Sequence, residues 1–173
     1  MANENKNEPF VDVSFDYTDS YGDVEKLYPT FSMYRDFDTL YLGFYFYNED
    51  EDPEFSGMEP YCTATVNLRP LPFLHSAIDT NNNGIKMLDF LEKNGFGHRT
   101  GQGIPSGYCV FPVFEFNADK IKELDPNFYE FYAKTHGVDI KKETSIDSKI
   151  QKAANESEKQ MDNVKIGDKE NFR

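Results

Sequence analysis

The sequence predicts an α+β domain with a mainly antiparallel sheet of about five strands and two or three helices. Three observations lead to this class. Alternating apolar and polar residues fill much of the first 70 positions, as half-buried strands do. One helical stretch then interrupts the pattern, and a further strand is followed by two more helical stretches. Strands grouped before helices, without regular alternation, are typical of α+β folds.

The first half of the chain holds most of the predicted strands. Residues 11–17 place Val, Val, Phe and Tyr on one face and Asp, Ser and Asp on the other. Residues 39–47 give the clearest pattern, with leucine and phenylalanine on one face and tyrosine on the other. The acidic stretch 48–60 contains Pro and Gly, which predicts a loop. A weaker strand is predicted at 30–35, another alternating strand at 61–68 and a short strand at 73–78.

The second half supplies the helices. Residues 84–93 carry Ile and Leu at helical spacing and are followed by an Asn-Gly pair that ends a helix. A Gly-rich loop is predicted at 96–106 and a strand at 107–117. An Asn cap begins a helix at 118–124, and an Asp-Pro pair begins another that reaches about residue 136.

We predict one domain over residues 1–140 and a charged tail over residues 141–173. The chain has 173 residues and 16% aromatic residues, enough for one core despite its acidity. The tail is polar and is expected to be mobile or to form a helix with a partner. The start lacks an apolar leader, and the apolar run 41–47 is far shorter than the about 20 residues that cross a bilayer. We therefore expect a cytoplasmic protein without membrane contact.

Negative charge is concentrated in the first third of the chain. Residues 1–60 contain fifteen Asp and Glu against three Lys and Arg, whereas the net charge of the whole chain is −13. Such a field repels nucleic acid and anionic membranes and attracts basic surfaces. We therefore expect a basic protein partner and no direct binding to nucleic acid.

The sharpest local motif is Asp79-Thr-Asn-Asn-Asn-Gly84. It matches the first half of a calcium loop, in which oxygens at alternate positions surround the ion. The second half does not match, because Phe90 stands where a bidentate Glu is needed. We predict a metal-free turn that caps the following helix. The alternative is a calcium site built on Asp79, Asn81 and Asn83.

Other candidate sites are weaker. The Gly-rich stretch 95–103 follows a helix C-terminus, whose dipole disfavours an anion. Ser106 lacks the glycines of a hydrolase elbow, and the three histidines lack metal-ligand spacing. We expect Cys62 and Cys109 to be reduced core thiols, with a disulfide or a Cys109–histidine pair as the alternatives. We predict no catalytic residue, no metal and no cofactor.

The acidic third has a functional interpretation in which carboxylates stand in for phosphates. Alternate residues of a strand repeat at about 6.6 Å, so carboxylates on one face can form an anionic row. Exposed tyrosines would add rigid aromatic anchors. The alternative is a solvated surface that only keeps the protein soluble. The predicted partner-binding residues are Asp12, Asp16, Asp36, Asp38, Tyr41, Tyr45, Tyr47, Glu49, Asp50, Glu51, Asp52 and Glu54.

Four segments carry a family resemblance: YCTATVNL from Tyr61, DTNNN from Asp79, NGFG from Asn94 and SGYCVFPV from Ser106. Together they resemble an uncharacterised domain-of-unknown-function family, common in gut Firmicutes and in their plasmids, conjugative elements and phages. The resemblance covers about residues 40–124 and lends no catalytic residue. It implies a mobile-element context, in which small acidic proteins often block host nucleases, as anti-CRISPR and antirestriction proteins do.

These observations predict a small, acidic, non-enzymatic binding protein that mimics nucleic acid. Its expected partner is a basic nucleic-acid-binding host protein such as a nuclease, which it would inhibit. The alternatives are a small enzyme, a calcium-binding module, or a housekeeping accessory domain.

Overall fold

The computed structural model describes residues 10–139 except residues 51, 53 and 55. Over this part of the chain the predicted α+β class is confirmed. Eight strands form two antiparallel sheets of four strands each, and four helices complete the described fold. The predicted tail at 141–173 lies outside the described residues, so its state stays a prediction.

The first sheet is a meander in which each strand pairs with the next along the chain. Its strands are β1 (Phe15–Thr18), β2 (Val24–Met33), β3 (Leu40–Asn48) and β4 (Gly57–Thr63). Tyr28 of β2 pairs with Tyr45 of β3, and Met33 pairs with Leu40. The start of β2 therefore lies beside the end of β3.

The second sheet has the order β5-β6-β8-β7. Its strands are β5 (Thr65–Val66), β6 (His75–Ile78), β7 (Gly97–Ser106) and β8 (Cys109–Phe116). Helices α1 (Thr80–Asn83) and α2 (Lys86–Lys93) lie between β6 and β7, and α3 (Ala118–Leu124) and α4 (Pro126–Thr135) follow β8. As predicted, the side chains of Asn117 and Asp125 cap α3 and α4.

One main core joins the two sheets to α2, α3 and α4. The apolar residues of β2 and β3 that alternate toward it are fully or largely buried, and the helices add their own apolar stripes. Strand side chains alternate between faces, so the first sheet has a second, outer face away from this core. The main buried residues are Leu27, Phe31, Leu40, Leu42, Phe44, Ile78, Leu88, Leu91, Phe96, Phe114, Phe116, Ile121, Phe128 and Tyr132.

A short chain segment joins the two sheets. The Ala64 N–H donates to the Leu42 carbonyl at 2.9 Å, and the Leu42 N–H donates to Thr65 Oγ1 at 3.0 Å. Tyr34 adds a bond from its hydroxyl to the Thr65 carbonyl at 2.9 Å. The strand predicted at 61–68 is therefore two strands that belong to different sheets.

Several predicted boundaries are wrong in the first half of the chain. The strand expected at 11–17 begins only at Phe15. The weak strand expected at 30–35 is part of the ten-residue β2, which continues through Pro29. The loop expected at 48–60 is shorter, because β4 begins at Gly57.

Two glycines explain the differences in the second half. Gly84 adopts a φ of +72°, which separates α1 from α2, so the helix expected at 84–93 begins at Lys86. The loop expected at 96–106 is the strand β7. Gly101 has a φ of +79° and lies in an irregularity between Arg99 and Gly103, where the pairing with β8 shifts.

Candidate functional site

The register of the first sheet gathers acidic side chains at one end. Because Tyr28 pairs with Tyr45, the β1–β2 turn and the β3–β4 loop lie at the same end. Most of the carboxylates there are exposed, and together they create a negative field that attracts cations. We call this region the acidic end; its described carboxylates are Asp16, Asp19, Asp23, Glu25, Glu49, Asp50, Asp52, Glu54 and Glu59.

The acidic end is shaped by its own side chains. The Asp19 carboxylate accepts hydrogen bonds from the backbone N–H groups of residues 21–23 at 2.8–3.0 Å. In the β3–β4 loop, Asp50 accepts from the Asp52 N–H at 2.9 Å and Asp52 accepts from the Glu54 N–H at 3.1 Å. These bonds use only Oδ1 of each carboxylate. The turns are therefore held in shape while the charges stay at the surface.

Lys26 and Lys86 both contact the acidic end. Lys26 Nζ lies 3.6 Å from Asp16 Oδ1 on the neighbouring strand, an exposed pair of the kind worth about 0–1 kcal/mol. Lys86 of α2 donates to the Asp19 backbone carbonyl at 2.8 Å. The named carboxylates clearly outnumber these two cations, so the negative field persists.

The structure divides the predicted partner-binding carboxylates. Asp36 and Asp38 lie in the β2–β3 turn, at the opposite end of the sheet from Glu49. The nine-residue β3 lies between Asp38 and Glu49 and is about 27 Å long. Asp12 precedes β1, so the predicted anionic row along one strand is not formed. Glu51 lies outside the described residues.

The outer face of the first sheet carries tyrosines. Tyr28 and Tyr45 are cross-strand neighbours there, and the Phe10 ring packs on both, with centroids 5.9 and 5.5 Å away. Tyr41 lies over Gly43, where an added Cβ would come within 2.6 Å of its hydroxyl oxygen. Because Gly43 has no side chain, the Tyr41 ring can pack over it without a steric clash.

The predicted exposure of this tyrosine row is only partly correct. Tyr47 is 51% exposed, but Tyr41 and Tyr45 are half-buried. Tyr41 is held by its hydrogen-bond contact of 3.2 Å with Thr63 Oγ1. None of the three belongs to either apolar core cluster of the described residues. Tyr47 is thus the aromatic side chain of β3 that is most open to a partner.

Sequence reasoning missed two tyrosines of the first sheet. Tyr21 is 93% exposed in the β1–β2 turn, between Asp19 and Asp23. The turn residues of the segment Asp-Ser-Tyr-Gly-Asp could have placed it there. Tyr28 lies before the strand predicted at 30–35, so no strand face was assigned to it. Pro29 lacks a ladder donor, which is unfavourable for a central strand at that position.

The Asp79–Gly84 segment forms a capped turn. Asp79 Oδ1 accepts the Asn82 N–H at 3.1 Å, and Oδ2 accepts the Asn82 side-chain amide at 2.6 Å. The Asn83 amide donates to the Thr63 carbonyl at 2.7 Å, which ties the turn to the first sheet. The predicted cap is therefore present, but it caps α1 rather than the longer helix. Each oxygen of the Asp79 carboxylate that calcium would need accepts a hydrogen bond from Asn82.

The two cysteines are free thiols, as expected, but both are half-buried at the edge of the core clusters rather than within them. Burial raises the pKa of the Cys62 thiol to about 12, so this thiol is almost wholly protonated at neutral pH. Cys109 Sγ contacts Asn81 Oδ1 at 3.3 Å. His75 and His98 lie beside Glu115. Glu115 is six positions from Cys109 along β8, which is about 20 Å. The alternative Cys109–histidine pair is therefore not formed with either histidine.

His75 and His98 flank one carboxylate on the second sheet. Their Nε2 atoms lie 3.9 and 3.4 Å from Glu115 Oε2, and His75 Nδ1 contacts the Phe73 carbonyl at 2.9 Å. His98 and Glu115 also line a cavity of about 440 Å³. Within the described ranges, no group of three or more His, Cys, Asp or Glu side chains is arranged to hold a metal.

The described structure is thus an α+β domain in which two antiparallel sheets share a main core, and the acidic end lies on the first sheet. Residues 30–136 match the family described as Domain of unknown function (DUF4313), and the chain belongs to this family. No curated protein and no solved structure matches the chain. Within the described residues, no helix is both long enough and apolar enough to cross a membrane.

Proposed function

We propose that this protein is a non-enzymatic binding protein that occupies the basic, nucleic-acid-binding surface of a host protein and inhibits it. The observation that carries this proposal is the acidic end, where the strand register collects exposed carboxylates from two neighbouring loops. A concentrated negative field favours basic partners and speeds their association. A mobile-element origin, with a role like that of anti-CRISPR or antirestriction proteins, is part of the same proposal.

The mode of mimicry follows from the geometry of the loops. DNA displays its charge as evenly spaced phosphates, whereas this chain displays carboxylates on two turns that its own backbone hydrogen bonds hold. A partner would therefore contact a compact, preorganised group of carboxylates on two neighbouring turns. Preorganised charges need less ordering on binding, which favours affinity.

Displacement of DNA tests the proposal. The protein should release fluorescent duplex DNA from a purified basic host nuclease, and its affinity should fall as salt rises. The combined change Glu49→Gln, Asp52→Asn and Glu54→Gln should weaken inhibition about tenfold, since exposed ion pairs contribute up to about 1 kcal/mol each. The Asn oxygen at position 52 can still accept the Glu54 N–H, so the loop should keep its shape.

A charge-matched control uses the helical side of the molecule. The combined change Asp119→Asn, Glu123→Gln and Glu130→Gln removes the same charge from exposed positions of α3 and α4. This variant should inhibit like the wild type. Equal weakening by both variants would mean that only net charge matters, and no weakening by the loop variant would contradict the proposal.

A further inference from the structure

Two strongly exposed tyrosines stand among the carboxylates of the acidic end. Tyr21 is 93% exposed at the β1–β2 turn, and Tyr47 is 51% exposed near the end of β3. The strand register brings both to the same end of the sheet. The exposed part of a large ring contributes little to folding, and tyrosine is enriched where proteins bind one another.

Carboxylates lie close in sequence to both tyrosines. Asp19 and Asp23 lie two positions on either side of Tyr21, and the Asp19 carboxylate fixes that turn through its backbone bonds. Glu49 follows Tyr47 by two positions. Next to Tyr47, Asn48 donates its side-chain amide to Glu59 Oε1 at 3.1 Å, which holds this carboxylate at the β3–β4 edge.

We propose that Tyr21 and Tyr47, with these carboxylates, form a recognition surface for the arginine side chains of an arginine-rich segment of the partner protein. The inference rests on the proposed function and names the chemistry that the acidic end selects. Charge complementarity carries it, because exposed aromatic rings at an end of the sheet rich in carboxylates match a planar cation. A purely apolar partner would leave the carboxylates near the two tyrosines without cations to pair with.

The combination favours arginine over lysine. The guanidinium group is planar, stacks on aromatic faces, and donates two parallel hydrogen bonds to one carboxylate. The lysine ammonium is compact and more strongly hydrated, so it gains less from the ring. A surface of carboxylates alone would distinguish the two cations weakly, whereas rings beside carboxylates distinguish them more strongly.

The test compares two synthetic peptides of equal length and charge, one with six arginines and one with six lysines among serines and glycines. Fluorescence anisotropy with the full chain should show at least about fivefold tighter binding of the arginine peptide. The double variant Tyr21→Leu and Tyr47→Leu should lose this preference and leave lysine-peptide binding unchanged. The double variant Tyr21→Phe and Tyr47→Phe should keep it, since the rings remain.

A matched control is Tyr108→Leu, which removes an exposed tyrosine at the β7–β8 hairpin on the second sheet. It should bind both peptides like the wild type. Absence of an arginine preference, absence of binding, or a preference that survives the double Leu change would each overturn the inference. The proposed function is judged separately, because the acidic-loop variant should weaken inhibition whatever the tyrosine variants do.

Discussion

Thr65 and Ser76 are buried hydroxyl-bearing residues with opposite surroundings. Thr65 Oγ1 accepts the Leu42 N–H and lies 3.2 Å from the Tyr34 hydroxyl, so it bonds across the junction of the two sheets. The Ser76 hydroxyl is buried and has no hydrogen-bond partner within the part of the chain that the structure describes. A buried hydroxyl stabilises a fold only when its hydrogen-bonding capacity is used.

This contrast predicts opposite outcomes for two small substitutions. Thr65→Val should lower the free energy of unfolding by about 1–3 kcal/mol, because it keeps the shape and leaves the Leu42 N–H unpaired. Ser76→Ala should leave that free energy unchanged or raise it slightly. Urea denaturation followed by circular dichroism measures both. A larger loss for Ser76→Ala than for Thr65→Val would contradict this reading of the two hydroxyls.

At the scale of elements, α2 is fastened to β7 by an ion-pair cluster. Arg99 donates from its backbone N–H and from Nη2 to Glu92, both at 2.8 Å, and from Nη2 to Asp89 at 2.5 Å. The hydrogen bonds from the Arg99 side chain and then from its backbone lower the pKa of Glu92. The side-chain hydrogen bonds to Glu92 and then to Asp89 raise the pKa of Arg99. The helix and the strand are therefore held most firmly when Glu92 is ionised.

The lowered pKa of Glu92 predicts a pH-dependent contribution to stability. A depressed folded-state pKa stabilises the fold above the unfolded-state value of about 4.3, and this stabilisation disappears as pH falls through the folded-state pKa. Glu92→Gln should therefore cost about 1 kcal/mol at pH 7 and progressively less below about pH 4. Urea denaturation from pH 7 to pH 3 measures the difference. A difference that stays constant over this range would show that the charge of Glu92 contributes nothing.

The α1 turn gives a second prediction for an element. Asp79→Ala removes the cap and should lower stability by about 0.5–2 kcal/mol. Calcium should bind no more tightly than about 1 mM by calorimetry, the weak end of calcium modules, because Phe90 replaces the bidentate ligand and calcium would compete with the Asn82 hydrogen bonds to Asp79. Micromolar binding that Asp79→Ala abolishes would restore the calcium interpretation.

The elements were predictable where local pattern and tertiary structure agree. The alternation of β3 and the caps at Asn117 and Asp125 are local signals, and each appears in the structure. The strand β7 was not predictable from its three glycines, because its pairing with β8 overrides their low strand propensity. The division at Ala64 was also hidden, since a change of sheet within one alternating segment leaves no mark in the pattern.

For the candidate site, the sequence predicted the acidic third but not its arrangement. The register that joins the β1–β2 turn to the β3–β4 loop is a long-range property, so Tyr21, Asp19 and Asp23 were overlooked. For the same reason the carboxylates at Asp36 and Asp38 were grouped with acids that lie at the far end of the sheet.

On the scale of the whole molecule, the main apolar core lies apart from the acidic end. Helices α2, α3 and α4 share the main core with both sheets, and a second, smaller cluster lies on the second sheet, while the acidic end and the tyrosines lie on the remaining surface of the first sheet. Changes at the acidic end that keep the turn hydrogen bonds should therefore alter binding without altering the fold. This separation is what makes the proposed function testable by surface substitutions alone.

The most direct measurement of the central claim is capture from host lysate with elution by duplex DNA. Nucleic-acid-binding proteins should be retained by the immobilised wild-type chain, and duplex DNA should release them. Retention should also fall as salt rises from about 0.15 to 1 M, where charges are screened within a few ångströms. The Glu49→Gln, Asp52→Asn, Glu54→Gln variant should retain much less of the same proteins. If DNA releases nothing, or if this variant retains the same proteins in the same amounts, the acidic end is not the binding surface.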